Sequence, residues 1–172
     1  MKKLFAFLTI FSLVFAVAGC SSSEDNASGK KTEEKKTSEL TDSVKTKMYN
    51  AVRIAELKVN EVFHKDTAAD GETPIINQNF SEENQAVQFL TNYYSEDIAK
   101  DIYTHYATDN KTAEGQMITN ADPYFTPSFL DTTIEKVTIE GDENKVTIKL
   151  AENITYQVEM IDGKYVITNI EK

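Results

Sequence analysis

VTIEGDENKVTIKLAENITYQVEMIDGKYVITNI, residues 137–170, alternates apolar and polar side chains through successive short segments. Val137 and Ile139, then Val146, Ile148 and Leu150, then Ile154, Tyr156, Val158 and Met160 each recur at every second position, the period of a half-buried strand. Gly141-Asp142-Glu143-Asn144 joins the first two segments, and Asp162-Gly163 is a strong signal for a tight hairpin into Lys164 to Ile170. The segment therefore predicts a four-stranded antiparallel meander. In its last strand Tyr165 and Ile167 fall on one face and Val166 and Ile170 on the other, which predicts cover on both sides.

Upstream the period lengthens. Leu40, Val44, Met48, Ala51, Val52, Ala55, Val59, Val62 and Phe63 recur at three- and four-residue spacing, the stripe of a long amphipathic helix capped by Ser38, with Glu39 and Asp42 in its first turn. Its polar side mixes Glu56 and Glu61 with Lys45, Lys47, Arg53 and Lys58, which argues for a helix packed on a core over one lying on a membrane. Residues 66–79 read as a loop, punctuated by Gly71 and Pro74, with an extended piece at Ile75 and Ile76. Ser81 reads as the cap of a second helix and Ser95 of a third, the two meeting near residue 95. A long connection from about Tyr106 to Thr133 carries enough apolar residues, Tyr124, Phe125 and Phe129 among them, that it must pack on the domain. Helices first and an antiparallel meander last make an α+β domain over residues 38–172, the helices covering one face of the sheet.

The N-terminal part differs in kind. Residues 4–18 are apolar apart from Thr9 and Ser12, too short to span a bilayer and suited to the hydrophobic region of a signal peptide behind Lys2 and Lys3. Val17-Ala18-Gly19-Cys20 at its end resembles the lipobox of bacterial lipoproteins. That resemblance implies that Val17, Ala18 and Gly19 guide recognition, that residues 1–19 are removed, and that Cys20 carries diacylglycerol. Secretory cleavage after Ala18 is the alternative, since Ala16-Val17-Ala18 also has a small-x-small pattern. Cys20 is the single cysteine, so no disulfide can staple the domain, and lipidation would remove an otherwise free thiol from an exported protein. Residues 20–37 lack large apolar side chains and read as a disordered tether that keeps the domain near the extracytoplasmic face of the cell membrane.

From Ser38 onward acidic residues outnumber basic ones two to one, which sets the domain against nucleic acid and anionic lipid and favours cationic, neutral or metal-bridged partners; the competing account is that the acidity keeps an exported protein soluble. The order of a long helix, a loop, two further helices and a meander closing in Gly-Lys-Tyr-Val-Ile-Thr, residues 163–168, resembles the nuclear transport factor two-like (cystatin-like) lipoprotein domains of Gram-positive bacteria. Tyr94-Ser95-Glu96-Asp97-Ile98 followed by Tyr106 is similar to secreted inhibitors of cell-wall endopeptidases, which also place helices before a terminal meander.

Candidate chemistry is sparse. His64 and His105 are the two histidines and neither has a second ligand at metal spacing, so no metal and no cofactor is expected. Asp66 to Glu72 resembles a calcium loop in its acids at the first and fifth positions, but Ala68 and Asn77 replace required ligands and a solvated turn accounts for it better. Tyr93, Tyr103, His105, Tyr106, Tyr124 and Phe125 form the one concentration from which a pocket could be built; the competing account is that they are core. The sequence thus points to a membrane-anchored, non-catalytic module binding a cell-envelope protein or a small ligand. Inhibition of a cell-wall hydrolase, or an enzyme using the tyrosine and histidine residues, are the alternatives.

Overall fold

The computed structural model describes residues 40–151 and 154–172; the lipobox-like stretch ending at Cys20 and the expected tether lie outside them. Three helices precede a four-stranded antiparallel sheet, giving the expected α+β fold. The helices are α1 (Asp42–Phe63), α2 (Glu83–Leu90) and α3 (Glu96–Tyr106). Among the described residues no helix is long and apolar enough to cross a membrane.

The cap of α1 is Thr41, three residues after the expected Ser38, which lies outside the described residues; the Thr41 hydroxyl accepts the Val44 N–H at 3.3 Å and so caps the first turn. It ends at Phe63, and the His64 N–H closes the last turn on the Asn60 carbonyl. α2 starts at a capping box formed by Glu82 and Gln85, one residue after the expected Ser81, which instead ends a 3₁₀ turn over Gln78–Phe80. Ser95 does precede α3, but its hydroxyl makes no cap; its N–H donates to the Ile167 carbonyl at 2.8 Å.

The small strands β1 (Asp66–Thr67) and β2 (Pro74–Ile75) pair within the loop after α1. The meander comprises β3 (Thr138–Gly141), β4 (Lys145–Ala151), β5 (Ile154–Ile161) and β6 (Lys164–Glu171) in simple sequential order. Gly141 has φ +133°, and a Cβ there would stand 2.2 Å from the Lys145 carbonyl oxygen, so the first hairpin requires glycine. One expectation fails in β6. A bulge shifts the ladder between Gln157 and Val158, so Ile170 lies opposite Tyr156 and Ile167 opposite Val158, all on the core face. Val166, paired with Glu159, is on the other face without Ile170 but is itself buried, so cover on both sides holds at Val166 and Ile167 and only the placement of Ile170 fails.

The core lies between that sheet face and the helices: Met48, Val52, Val59, Val62 and Phe63 of α1, Leu90 of α2, and Ile98 and Ile102 of α3 meet Val146, Ile148, Tyr156, Val158 and Ile167. The 108–133 connection is packed, as its apolar content requires. Phe125 and Phe129 are buried in the same core, the Thr119 hydroxyl donates to the Phe63 carbonyl at 3.0 Å, and the Thr126–Pro127 bond is cis. β6 is bound on its second edge as well: the Ile167 N–H donates to the Tyr93 carbonyl at 2.9 Å, in a parallel bridge between Tyr94 and Ile167.

Candidate functional site

The end of α3 gathers five of the six aromatic-cluster residues. The buried Tyr106 ring stacks on Phe63 at 4.8 Å, and both histidine rings approach it edge-on at 4.7 Å. Tyr103 meets Phe63 from the same helix. The Tyr124 N–H donates to the Tyr106 hydroxyl at 2.8 Å, while the Tyr124 ring contacts both His105 and Phe125. His105 Nε2 lies 2.8 Å from the Asp122 carbonyl, and burial with the nearby His105 lowers the His64 pKa below its ordinary value. Tyr93 is not part of this group. It contacts Phe89, which in turn meets Phe80, in a separate aromatic row.

The most unusual titratable group is one the sequence reading put on the polar side of α1. Glu56 is buried, and its carboxylate accepts hydrogen bonds from the Ser128 hydroxyl and from the Phe129 N–H at 2.8 Å. Burial pushes its pKa up, against the lowering effect of those two donors. Tyr49, Arg53 and Glu56 form one helical stripe that fastens residues 128–132. The Tyr49 hydroxyl donates to the Thr132 carbonyl at 2.8 Å, and the Arg53 guanidinium donates to the Leu130 and Thr132 carbonyls at 3.0 and 3.2 Å. Beside Glu56, the buried Tyr94 hydroxyl has no hydrogen-bond partner among the described residues, and burial raises its pKa well above the usual phenol value. Glu56 is spent on holding a turn, and its spacing of seven from the buried Tyr49 and Phe63 was the available signal that it faces inward.

Two accessible concavities lie elsewhere. A polar cleft of about 750 Å³ between α2 and α3 is lined by Glu82, Glu83, Gln85, Gln88, Glu96 and Lys100. Lys100 is paired with Glu96 at 2.6 Å, which leaves Glu82 and Glu83 as the carboxylates without an ion pair in this wall. A second groove, about 420 Å³, runs between α1 and the start of β6, lined by Lys47, Ala51, Ile54, Tyr93, Lys164 and Tyr165. Tyr103, His105, Tyr106, Tyr124 and Phe125 line neither concavity.

The calcium-like loop is used internally. The Asp70 carboxylate accepts the N–H groups of Glu72 and Thr73 and the Thr73 hydroxyl, which together hold its pKa down at about 2. Among the described residues no three His, Cys, Asp or Glu side chains are grouped to hold a metal. Comparison with protein-family models, curated proteins and solved structures finds no match to this chain.

Proposed function

We propose that the chain is a lipoprotein anchored through Cys20 at the extracytoplasmic face of a Gram-positive cell membrane, and that its α+β domain is a non-catalytic binding module. The lipobox-like Val17-Ala18-Gly19-Cys20 supports the location. The order of three helices before a meander supports kinship with nuclear transport factor two-like lipoprotein domains. The observation that carries the binding role is the cleft between α2 and α3. Its volume falls in the range of ligand sites, and Glu83 and Gln88 present a carboxylate and an amide to it, while Glu82 and Gln85 are engaged in the capping box of α2.

The chemistry of that wall suits a cationic or neutral polar partner, a cell-envelope protein segment or a small molecule, and excludes a polyanion. The groups with most catalytic potential support the same reading, since Glu56 and His105 are each held against the protein's own backbone. The test has two arms. Cys20→Ala should release the protein from the membrane fraction into the medium, and unchanged membrane retention would sink the anchor. Binding of cationic and neutral envelope components by the purified protein should weaken at least several-fold in a Glu83→Lys variant, which leaves the capping box intact; equal binding would argue against the cleft.

A further inference from the structure

The outer side of α1 is less polar than a solvated helix face should be. Ile54 and Leu57 are 46% and 51% exposed, although neither belongs to the core stripe. Ile54 lines the groove with Ala51, Tyr93 and Tyr165, with Lys47 and Lys164 at its margins, and Leu57 follows it three positions on along the same helix. Ile161, 42% exposed, lies directly across the ladder from Lys164 at the β5–β6 turn. These three are the exposed large apolar side chains among the described residues; Ile54 lines the groove, Leu57 lies three positions further along α1, and Ile161 pairs with the groove residue Lys164. Scattered apolar exposure is ordinary; its concentration beside one groove is not.

We infer that this face, the outer stripe of α1 with the β5–β6 turn, seats the domain on the lipid surface, resting on the reading that Cys20 is the anchor. Three observations select lipid over a protein partner. The first is composition: aliphatic tips among tyrosines and lysines match the headgroup boundary, where tyrosine rings sit amphipathically and lysine stems lie along apolar surface with the ammonium in water. The second is charge. The domain carries two acids for each base, yet this face sets Lys47 and Lys164 against Asp162 in the turn and a Glu61 already paired with Lys58, whereas the cleft between α2 and α3 holds Glu82 and Glu83 beyond its Glu96–Lys100 pair. An anionic surface would therefore attract the first face and repel the second. The third is chain length: Asp42 comes 22 positions after Cys20, so the start of α1 cannot lie more than about 75 Å from the anchor, and α1 is the element that carries this face. The earlier expectation that α1 packs on a core stands, since its other stripe does so.

The native chain has no tryptophan, so a single introduced one reports its own surroundings. Leu57→Trp on the seat and Glu114→Trp, exposed and outside this groove, are compared in full-length protein reconstituted from membranes into vesicles of equal parts phosphatidylcholine and phosphatidylglycerol with brominated acyl chains. The seat predicts several-fold stronger quenching, and a bluer emission, at position 57 than at 114. Equal quenching at the two positions would overturn it, as would a blue shift at 57 that appears only when an envelope protein is added. Mass analysis of the N-terminal peptide reads the anchor separately. If Cys20 carries no acyl group, the anchor reading fails, and the same variants coupled through the Cys20 thiol to a maleimide lipid still decide between seat and no seat.

Discussion

Glu56 on α1 and Phe129 in the turn after the cis Thr126–Pro127 bond are joined at 2.8 Å, carboxylate to backbone N–H, across 73 residues of sequence. The bond lies inside the domain, where an unmet donor is costly, so the carboxylate fixes the path of the whole 126–132 segment over the core.

Removing that carboxylate should therefore be expensive. Glu56→Ala leaves the Phe129 N–H and the Ser128 hydroxyl without their acceptor, and we expect a loss of about 3 kcal/mol in urea unfolding. Glu56→Gln keeps a carbonyl for the Phe129 N–H and should cost much less. Equal losses in the two variants would show that charge, and not the acceptor, is what matters.

The same residue sets a pH dependence. Its folded pKa lies above the ordinary 4.5, so the folded chain keeps this proton to higher pH than the unfolded chain does. The stability tied to it is complete below 4.5 and is lost as pH rises through the folded value. Unfolding free energies measured from about pH 4 to about pH 8 should show wild type falling relative to Glu56→Gln as pH rises. A difference independent of pH would mean that the carboxyl ionises alike in both states.

Tyr94 offers the opposite kind of variant. Its hydroxyl is buried without a partner, so Tyr94→Phe removes an unmet polar group and keeps the ring that faces Phe125 at 6.4 Å. The variant should be more stable by about 1 kcal/mol. A loss of stability in calorimetry would show that the hydroxyl is bonded in solution, through water or a ligand.

Gly141→Ala tests the first hairpin of the sheet. With φ at +133° and the Lys145 carbonyl in the way, the methyl can be accommodated only by moving backbone. A cost of about 2 kcal/mol or more is expected, with protection from amide exchange lost first in β3 and β4. Unchanged exchange in those strands would count against the turn as described.

Calcium should do nothing. Asp70 already spends its carboxylate on Glu72 and Thr73, so adding calcium or a chelator should leave the melting temperature where it was. A calcium-dependent rise would require that turn to reopen.

Much of the fold was legible because its signals are short in range. The strands of the meander alternate cleanly, Asp162-Gly163 turns the last hairpin, and each helix carries its stripe. The β6 bulge was not, since it arises in pairing with β5 and leaves no mark on the alternation of β6 alone; it carried Ile170 to the core face. Glu56 was misplaced because its charge outweighed its position on the wheel. Tyr93 and Tyr94 are neighbours in sequence, but the turn after α2 sends one into the Phe89 row and the other against Phe125. The exposed pair was visible in principle, as Ile54 and Leu57 are apolar residues three apart that fit no core stripe.

The bridge from Tyr93 and Ser95 to Ile167 has a consequence for timing. Its two ends are roughly seventy residues apart, and loop closure over that distance must be met before the contact gives anything back. Until residue 167 has been made and brought round, the link between α2 and α3 lacks its fastening and β6 has not joined the sheet. Variants that weaken the bridge should thus slow the final closure more than they alter the collapsed chain that precedes it.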